Sequence, residues 1–156
     1  MTPRSDLDAT DRAILALIQA DASLSLAQIA AAVHLTPSPC WKRIRRMEEA
    51  GVIRGRVTLV DPAAVGLPLT AFVAIETADH SEAWMQRFAA AMEAMPEVME
   101  VWRMAGDVDY LLRVVVSDMA AYDRFYRRLI AAAPLKNVSS RFAMEQVKAA
   151  RALPIP

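Results

Sequence analysis

The chain has 156 residues, of which 55% are hydrophobic and 23% charged, and its formal net charge is zero. This length accommodates one medium domain or two small ones, and the composition excludes a disordered chain. No apolar run is long enough to cross a bilayer, and the polar first residues lack the apolar segment of a signal peptide. The single cysteine, Cys40, excludes an internal disulfide framework, so we expect a soluble cytoplasmic protein.

Positive charge is concentrated in one short segment, residues 37–57. This segment contains six basic side chains and only two acidic ones. A local basic surface of this kind can pair with phosphates even in a protein of zero net charge. Nucleic acid is therefore a candidate partner despite the balanced total charge.

The start of the chain predicts two short helices. Apolar residues recur at helical spacing in the first, and Asp8 or Asp11 can interact with its positive N-terminal end. Ser25 can cap the second helix, and Gln28, three residues later, completes a capping box. Both helices are therefore predicted from local signals alone.

A third helix is predicted between Thr36, a good N-cap, and Gly51, a typical C-terminal stop. Pro37 fits the first helical position, where no backbone N–H is needed. Helical spacing separates an apolar face, expected in the core, from a polar and basic face. The apolar face has Cys40, Ile44 and Met47; the opposite face has Ser38, Lys42, Arg45 and Arg46, with Trp41 and Arg43 on the flanks.

Three short helices with a basic face on the third are typical of a helix-turn-helix. Such a helix fits the major groove, where lysines and arginines pair with phosphates and arginine reads guanine edges. Residues 52–57 predict a strand with a glycine turn between two arginines, a candidate wing. A basic helix face alone is more often solvated surface, but the three-helix layout and the basic wing together favour DNA binding. The candidate DNA contacts are Ser38, Pro39, Lys42, Arg43, Arg45, Arg46, Arg54 and Arg56.

The rest of the chain predicts alternating strands and helices in the order βαββαβ, which is the ferredoxin-like pattern. Turn residues at 61–62 and 66–68 mark the connector that precedes it. The predicted strands are 69–77, 98–104, 108–116 and about 138–148. The predicted helices are one capped by Ser81 that runs to about Met95 and one capped by Asp118 that Pro134 follows.

The expected fold class is α+β. We predict a winged helix-turn-helix domain at 1–55, a connector strand and linker at 56–67, and a ferredoxin-like effector-binding and oligomerisation domain at 68–150. The predicted strands are apolar on both faces, whereas two helices can cover only one face of the sheet. The other face needs a second subunit, so we expect at least a homodimer.

Several stretches, in the same order, resemble the Lrp/AsnC (feast/famine) family of transcriptional regulators. That family has a winged helix-turn-helix, a connector strand and a ferredoxin-like effector domain, and its dimers often assemble further into octamers. The resemblance implies double-stranded DNA as a partner and a small effector, commonly an amino acid. The matching stretches are Leu7-Asp8 through Ile14-Leu15, LTPSPCWKRIRRMEEAGVIRG (35–55), LVDPAAVGLPLTAFV (59–73), AGDVDYLLRVVVSDMAAYDRF (105–125) and MEQVK (144–148).

The resemblance places the effector between dimers, near the turn Gly106-Asp107-Val108-Asp109-Tyr110 and the start of the following helix. Exposed backbone N–H groups can bind a carboxylate there, and an aspartate can bind an α-ammonium group. Two alternatives stay open: Gly106 and Asp107 simply close a hairpin, and Asp109 pairs with Arg103 or Arg113. The candidate effector residues are Met104, Gly106, Asp107, Asp109, Tyr110, Met119 and Phe142.

The chain departs from the family pattern at Trp41, Trp102 and Arg103, and a bulky Trp102 near the turn leaves the effector open. Two other functions remain as alternatives: a nucleoid-organising protein with weak sequence preference, and a tetrapyrrole decarboxylase of the same fold. The second needs acid–base groups, and the only histidines are His34 and His80, outside the predicted sheet. No metal-binding spacing and no phosphate-binding glycine loop occurs. We therefore expect a regulator without enzyme activity, cofactor, metal or membrane association.

Overall fold

The computed structural model describes residues 7–150 and 152–155. The chain divides into two compact units, Met1–Thr58 with Val147–Pro156 and Leu59–Gln146. The C-terminal segment thus groups with the first unit. The domain limits of 1–55 and 68–150 stay predictions.

The first unit contains three helices: α1 (Ala9–Ala20), α2 (Leu26–Ala32) and α3 (Pro37–Glu49). The capping box predicted at α2 is confirmed, and the interaction predicted for Asp8 or Asp11 with the N-terminal end of α1 takes the form of a second capping box. Asp8 and Asp11 form a reciprocal capping box at α1, and Ser25 and Gln28 form one at α2. Each box satisfies two backbone N–H groups that the helix itself leaves without partners.

The core of the first unit lies between the three helices. The predicted apolar face of α3 is confirmed, because Cys40, Ile44 and Met47 are buried against residues of α1 and α2. The C-terminal segment adds to this unit. The side-chain amide of Gln19 accepts a hydrogen bond from the Leu153 backbone N–H at 2.7 Å and donates one to its carbonyl at 3.3 Å. Ile155 also packs against the core.

Residues 52–57 do not form the strand predicted for the wing, and the connector strand at 56–67 stays a prediction. The described chain has no strand between α3 and Leu69. The backbone N–H groups of Val52 and Ile53 donate instead to the Met47 carbonyl, at 2.9 and 3.1 Å. A strand requires a hydrogen-bonding neighbour, and no described segment of this chain pairs with residues 52–60. A short 3₁₀ helix, Ala63–Val65, follows.

The second unit has the predicted βαββαβ order. Its elements are β1 (Leu69–Glu76), α4 (Glu82–Glu93), β2 (Val98–Arg103), β3 (Tyr110–Val116), α5 (Met119–Ala132) and β4 (Asn137–Phe142). The strands form an antiparallel sheet in the order β2-β3-β1-β4, which confirms the ferredoxin-like arrangement. The last strand ends at Phe142, so the prediction of a strand to about 148 is wrong beyond that residue.

Helices α4 and α5 cover one face of the sheet. Their buried stripes, which include Trp84, Phe88 and Leu129, pack in one cluster with the inward residues of β1 and β3. The Trp84 indole N–H donates to the Pro134 carbonyl at 3.0 Å, which satisfies the polar group of a buried side chain. On the other face Phe72 and Trp102 remain substantially exposed, as the two-sided apolar pattern predicted. Among the described residues, none of the helices is long and apolar enough to span a membrane.

Candidate functional site

The polar face of α3 is open to solvent. Ser38, Lys42, Arg45 and Arg46 are all exposed, whereas Cys40, Ile44 and Met47 on the opposite side are buried. The amphipathic pattern read from the sequence therefore describes this helix correctly. The remaining candidates also lie at the surface: Pro39, Arg54 and Arg56 are exposed and Arg43 is half-buried.

Two arginines of α3 contact a carboxylate of α1. The Asp11 side chain is fully buried and accepts from Arg43 Nη1 at 2.8 Å and from Arg46 Nη2 at 2.5 Å. Arg43 Nη1 also donates to Asp8 Oδ2 at 2.6 Å. These contacts attach one edge of the basic face of α3 to the first turn of α1.

The other basic side chains among the candidate DNA contacts form weaker ion pairs or none with the described residues. Arg45 pairs with Glu49 at 3.0 Å and with Glu48 at 3.8 Å, and Arg56 approaches Glu48 at 3.5 Å. These pairs are largely exposed, so solvent screens them and each contributes little to stability. Lys42 and Arg54 form no ion pair with any residue that the structure describes.

The pKa values in this region follow the same contacts. The pKa of Asp8 lies below its usual value because its carboxylate accepts the Asp11 backbone N–H and pairs with Arg43. The pKa of Arg43 is raised because the carboxylates of Asp8 and then Asp11 accept its hydrogen bonds. Burial raises the pKa of the Cys40 thiol, so the thiol remains protonated at neutral pH, as expected of a core residue.

Asp109 lies in the turn between β2 and β3, immediately before the start of β3. Asp109 Oδ2 accepts the Thr77 backbone N–H at 2.8 Å, and Oδ1 lies 3.9 Å from His80 Nδ1. The Asp109 backbone is also fixed, because its N–H donates to the Ile75 carbonyl at 2.9 Å and its own carbonyl accepts from Met104 N–H at 2.8 Å. Gly106 has φ +125°, a conformation that side-chain-bearing residues rarely adopt.

The structural partners suggested for Asp109 from the sequence are wrong. Neither Arg103 nor Arg113 contacts it. Arg113 is directed elsewhere, with its Nη2 2.7 Å from Glu100 Oε1, because Glu100 lies opposite Arg113 in the β2–β3 pairing. Asp109 is held instead by a backbone amide, and among the described residues no lysine or arginine lies close to its carboxylate.

The candidate effector residues lie at two opposite ends of the sheet. Tyr110 pairs with Ile75 of β1, whereas Phe142 pairs with Ala71. Their partners on β1 are therefore four positions apart, or roughly 13 Å at the rise of a β-strand. Met119 follows the end of β3 that pairs with Leu69, so it lies at the Phe142 end. Within one chain the structure does not bring the two groups together.

Individual effector candidates differ in their surroundings. Tyr110 packs against Trp84 and Phe88, with ring centroids 5.8 and 4.7 Å away, and so belongs partly to the core. Phe142 meets Tyr122 edge-on at 4.9 Å. The rest of the candidates (Met104, Gly106, Asp107 and Met119) are exposed.

Two family models together match nearly the whole chain. Residues 7–54 match a winged helix-turn-helix DNA-binding model, and residues 70–153 match the Lrp/AsnC ligand-binding domain. The chain belongs to the Lrp/AsnC family. It is a DNA-binding transcriptional regulator of the kind that the family comprises.

Similar proteins support this membership. The DNA-binding transcriptional activator DecR of Escherichia coli is 53% identical over 150 residues, which cover 96% of this chain and 99% of that protein. The glutamate uptake regulatory protein of Zymomonas mobilis is 43% identical, with 96% and 92% covered. A solved AsnC family regulator from Agrobacterium tumefaciens has a TM-score of 0.90 at 53% identity, covering 95% and 97%. A Neisseria meningitidis regulator, solved as a complex with L-Met, has a TM-score of 0.88 at 31% identity, covering 95% and 96%.

Two contacts of this Lrp/AsnC regulator were not predicted from the sequence. The first is the contact of Asp11 with Arg43 and Arg46. Its signal was present, because Asp11 shares the helical stripe of Ile14 and Leu15, and a carboxylate on a core-facing stripe needs a cationic partner. The second is the Thr77 amide that holds Asp109, for which no local signal exists.

Proposed function

We propose that this Lrp/AsnC regulator recognises specific DNA by inserting α3 into the major groove. The observation that carries the proposal is the exposed basic face of α3 opposite a buried apolar face. A helix with this arrangement can lie in the groove while its other side stays in the protein core. The match of residues 7–54 to a winged helix-turn-helix DNA-binding model supports DNA binding by this part of the chain.

The cations of this surface have different roles in the proposal. Lys42 and Arg54, which have no ion pair in the described chain, contact phosphates directly. Arg45 exchanges its exposed glutamate partners for DNA at little cost. Ser38 and Pro39, in the first turn of α3, and Arg56, beyond its end, complete the surface.

The test is fluorescence anisotropy with DNA from the region upstream of the protein's own gene. Changing Lys42, Arg45 and Arg46 together to Ala should weaken binding at least about 100-fold and reduce the slope of log K against log salt by about 2–3. The matched control removes three exposed arginines of the second unit, at 87, 124 and 127. Equal binding by wild type and the α3 triple variant would exclude α3 as the recognition helix.

The same titrations with random DNA separate a specific regulator from a nucleoid-organising protein. Specific complexes are typically about 10³–10⁷ times tighter than nonspecific ones. A ratio near one at two salt concentrations would favour the nucleoid-organising function. The tetrapyrrole decarboxylase has less support, since the similar proteins are regulators, and we propose that this chain has no enzymatic activity. Because the proposed partner is DNA, we expect the protein in the cytoplasm.

We further propose that an amino acid modulates this DNA binding. Asp109 offers a carboxylate, held in place by the Thr77 amide, to the ligand's ammonium group. Gly106 and Asp107 lie in an exposed turn whose backbone N–H groups suit the ligand's carboxylate. Because Met119 and Phe142 lie at the other end of the sheet, a site that uses both groups requires a second subunit. Thermal-shift measurements with the twenty amino acids test this, since a ligand of the folded form raises the melting temperature.

We propose a homodimer that assembles further, to an octamer. Phe72 and Trp102 are exposed on the uncovered face of the sheet, and segment 57–60 carries exposed apolar side chains with no strand partner among the described residues. Analytical ultracentrifugation should give a mass at or above that of the dimer, and Trp102→Asp should lower it. Ile130→Asp, which changes an exposed apolar residue of α5, is the control. A wild-type monomer would refute the assembly.

A further inference from the structure

Asp11 is a buried carboxylate whose partners come mainly from the recognition helix. Its side chain has 0% exposure, and it accepts hydrogen bonds from Arg43 Nη1 at 2.8 Å, Arg46 Nη2 at 2.5 Å and the Asp8 backbone N–H at 3.2 Å. A charge is buried only at a cost unless it is paired and hydrogen-bonded, and here both conditions hold. The contacts fix how α3 is turned with respect to α1.

The two arginines are held differently. Arg43 donates to both Asp8 and Asp11, and its side chain is 29% exposed. Arg46 uses one terminal nitrogen for Asp11, and its side chain is 57% exposed. A guanidinium has five N–H donors in a rigid planar fork, so bonding Asp11 at one edge leaves the other edge of Arg46 directed away from the carboxylate. Arg46 also lies one helical turn from Lys42 on the same face.

We propose that Asp11 is a positioning residue for DNA recognition: it orients Arg46 so that the outer edge of the guanidinium meets a DNA phosphate. Arg43, which donates to both Asp8 and Asp11, holds the Asp11 carboxylate in place. This inference rests on the proposed function. An arginine side chain that is already ordered loses less conformational entropy on binding than a mobile one. The carboxylate thus raises affinity without contacting DNA.

The decisive variant is Arg46→Lys, which keeps the charge but replaces the fork by a single ammonium group. Lysine has one compact ammonium group on a flexible stem, so it cannot bond Asp11 with one edge and present a second, opposite edge to a phosphate as a guanidinium can. We expect about a 5-fold loss of affinity for the upstream DNA, within the range for one newly mobile side chain, with an unchanged salt slope. Arg127→Lys is the control, because Arg127 is an exposed helical arginine paired with Asp123 in the second unit.

Two more variants separate positioning from a merely structural role. Arg46→Gln should lower the salt slope by about 1, since a phosphate contact is lost. Asp11→Asn should weaken binding by about 5-fold, and adding Arg46→Lys to it should cause almost no further loss. Circular dichroism identifies variants that fold; if Asp11→Asn does not, the two Arg46 variants still decide the question.

The outcomes distinguish this inference from the proposed function. The positioning role alone is overturned if wild type binds specifically but Arg46→Lys keeps wild-type affinity. It is also overturned if wild type binds specifically but Arg46→Gln leaves the salt slope unchanged. Wild type that shows no preference for the upstream DNA overturns both. A 5-fold loss with Arg46→Lys and a reduced slope with Arg46→Gln supports it.

Discussion

The hydrogen bond between Asp109 and Thr77 allows the structural and ligand-binding roles of Asp109 to be measured separately. In Asp109→Ala the Thr77 amide, on a residue that is 5% exposed, loses its acceptor at 2.8 Å. An unsatisfied buried donor costs about 1–3 kcal/mol. Because the Asp109 side chain is 31% exposed and water can reach the site, we expect the lower part of that range, about 1–2 kcal/mol. For a domain of this size that lowers the melting temperature by roughly 5–15 °C.

Asp109→Asn should leave the stability of the ligand-free protein almost unchanged. The amide oxygen of asparagine can accept from Thr77 in place of Oδ2, and the lost His80 contact, at 3.9 Å and largely exposed, contributes little. Differential scanning calorimetry at one protein concentration should therefore show a shift below about 4 °C. The same variant should lose the melting-temperature increase given by whichever amino acid stabilises wild type, because the ligand ammonium group loses its counter-charge.

Two results would refute this reasoning. If Asp109→Asn destabilises the ligand-free protein as much as Asp109→Ala, the charge rather than the Thr77 hydrogen bond holds the turn. If Asp109→Asn keeps the full stabilisation by the amino acid, Asp109 does not bind the ammonium group.

Three further predictions concern the two cores and the C-terminal segment. Leu129→Ala should lower the free energy of unfolding by about 2–5 kcal/mol in urea, because it removes a 1% exposed side chain between α5 and the sheet; a loss below 1 kcal/mol would contradict that packing. Cys40 should react with a thiol reagent only after denaturation, since its raised pKa and complete burial keep it protonated and inaccessible; rapid labelling of the native protein would show otherwise. Removing residues 149–156 should lower the melting temperature of the first unit, because Gln19 loses both bonds to Leu153 and the core loses Ile155; an unchanged calorimetric transition would refute this.

Local signals predicted most helices and the interior faces of the strands. Ser25 and Gln28 identify the start of α2 within four residues of sequence, and the spacing of Cys40, Ile44 and Met47 identifies the buried side of α3. These features depend on periodicity and capping, which a single sequence contains. They were also sufficient to place the basic face of α3 in solvent.

Features that depend on distant partners were predicted poorly. Residues 52–57 have the composition of a strand, but a strand forms only where another segment pairs with it. Asp109 accepts a hydrogen bond from Thr77, more than thirty residues earlier along the chain, whereas the sequence suggested an effector or, as the structural alternative, Arg103 or Arg113 as its partner. Tyr110 of β3 and Phe142 of β4 pair with opposite ends of β1. This placement follows from the strand register, which the sequence alone did not specify.

The bond between Gln19 and Leu153 joins residues 134 positions apart, so the second unit is an insertion within the first. On the ribosome, the three helices of the first unit emerge before the second unit, yet the segment that completes their unit is synthesised after it. Closing so long a loop carries an entropic penalty that falls if the intervening chain has already become compact. Folding of the inserted unit should therefore precede the final docking of the C-terminal segment. A fragment that ends at Thr58 should represent the three helices of the first unit as they are before that segment docks.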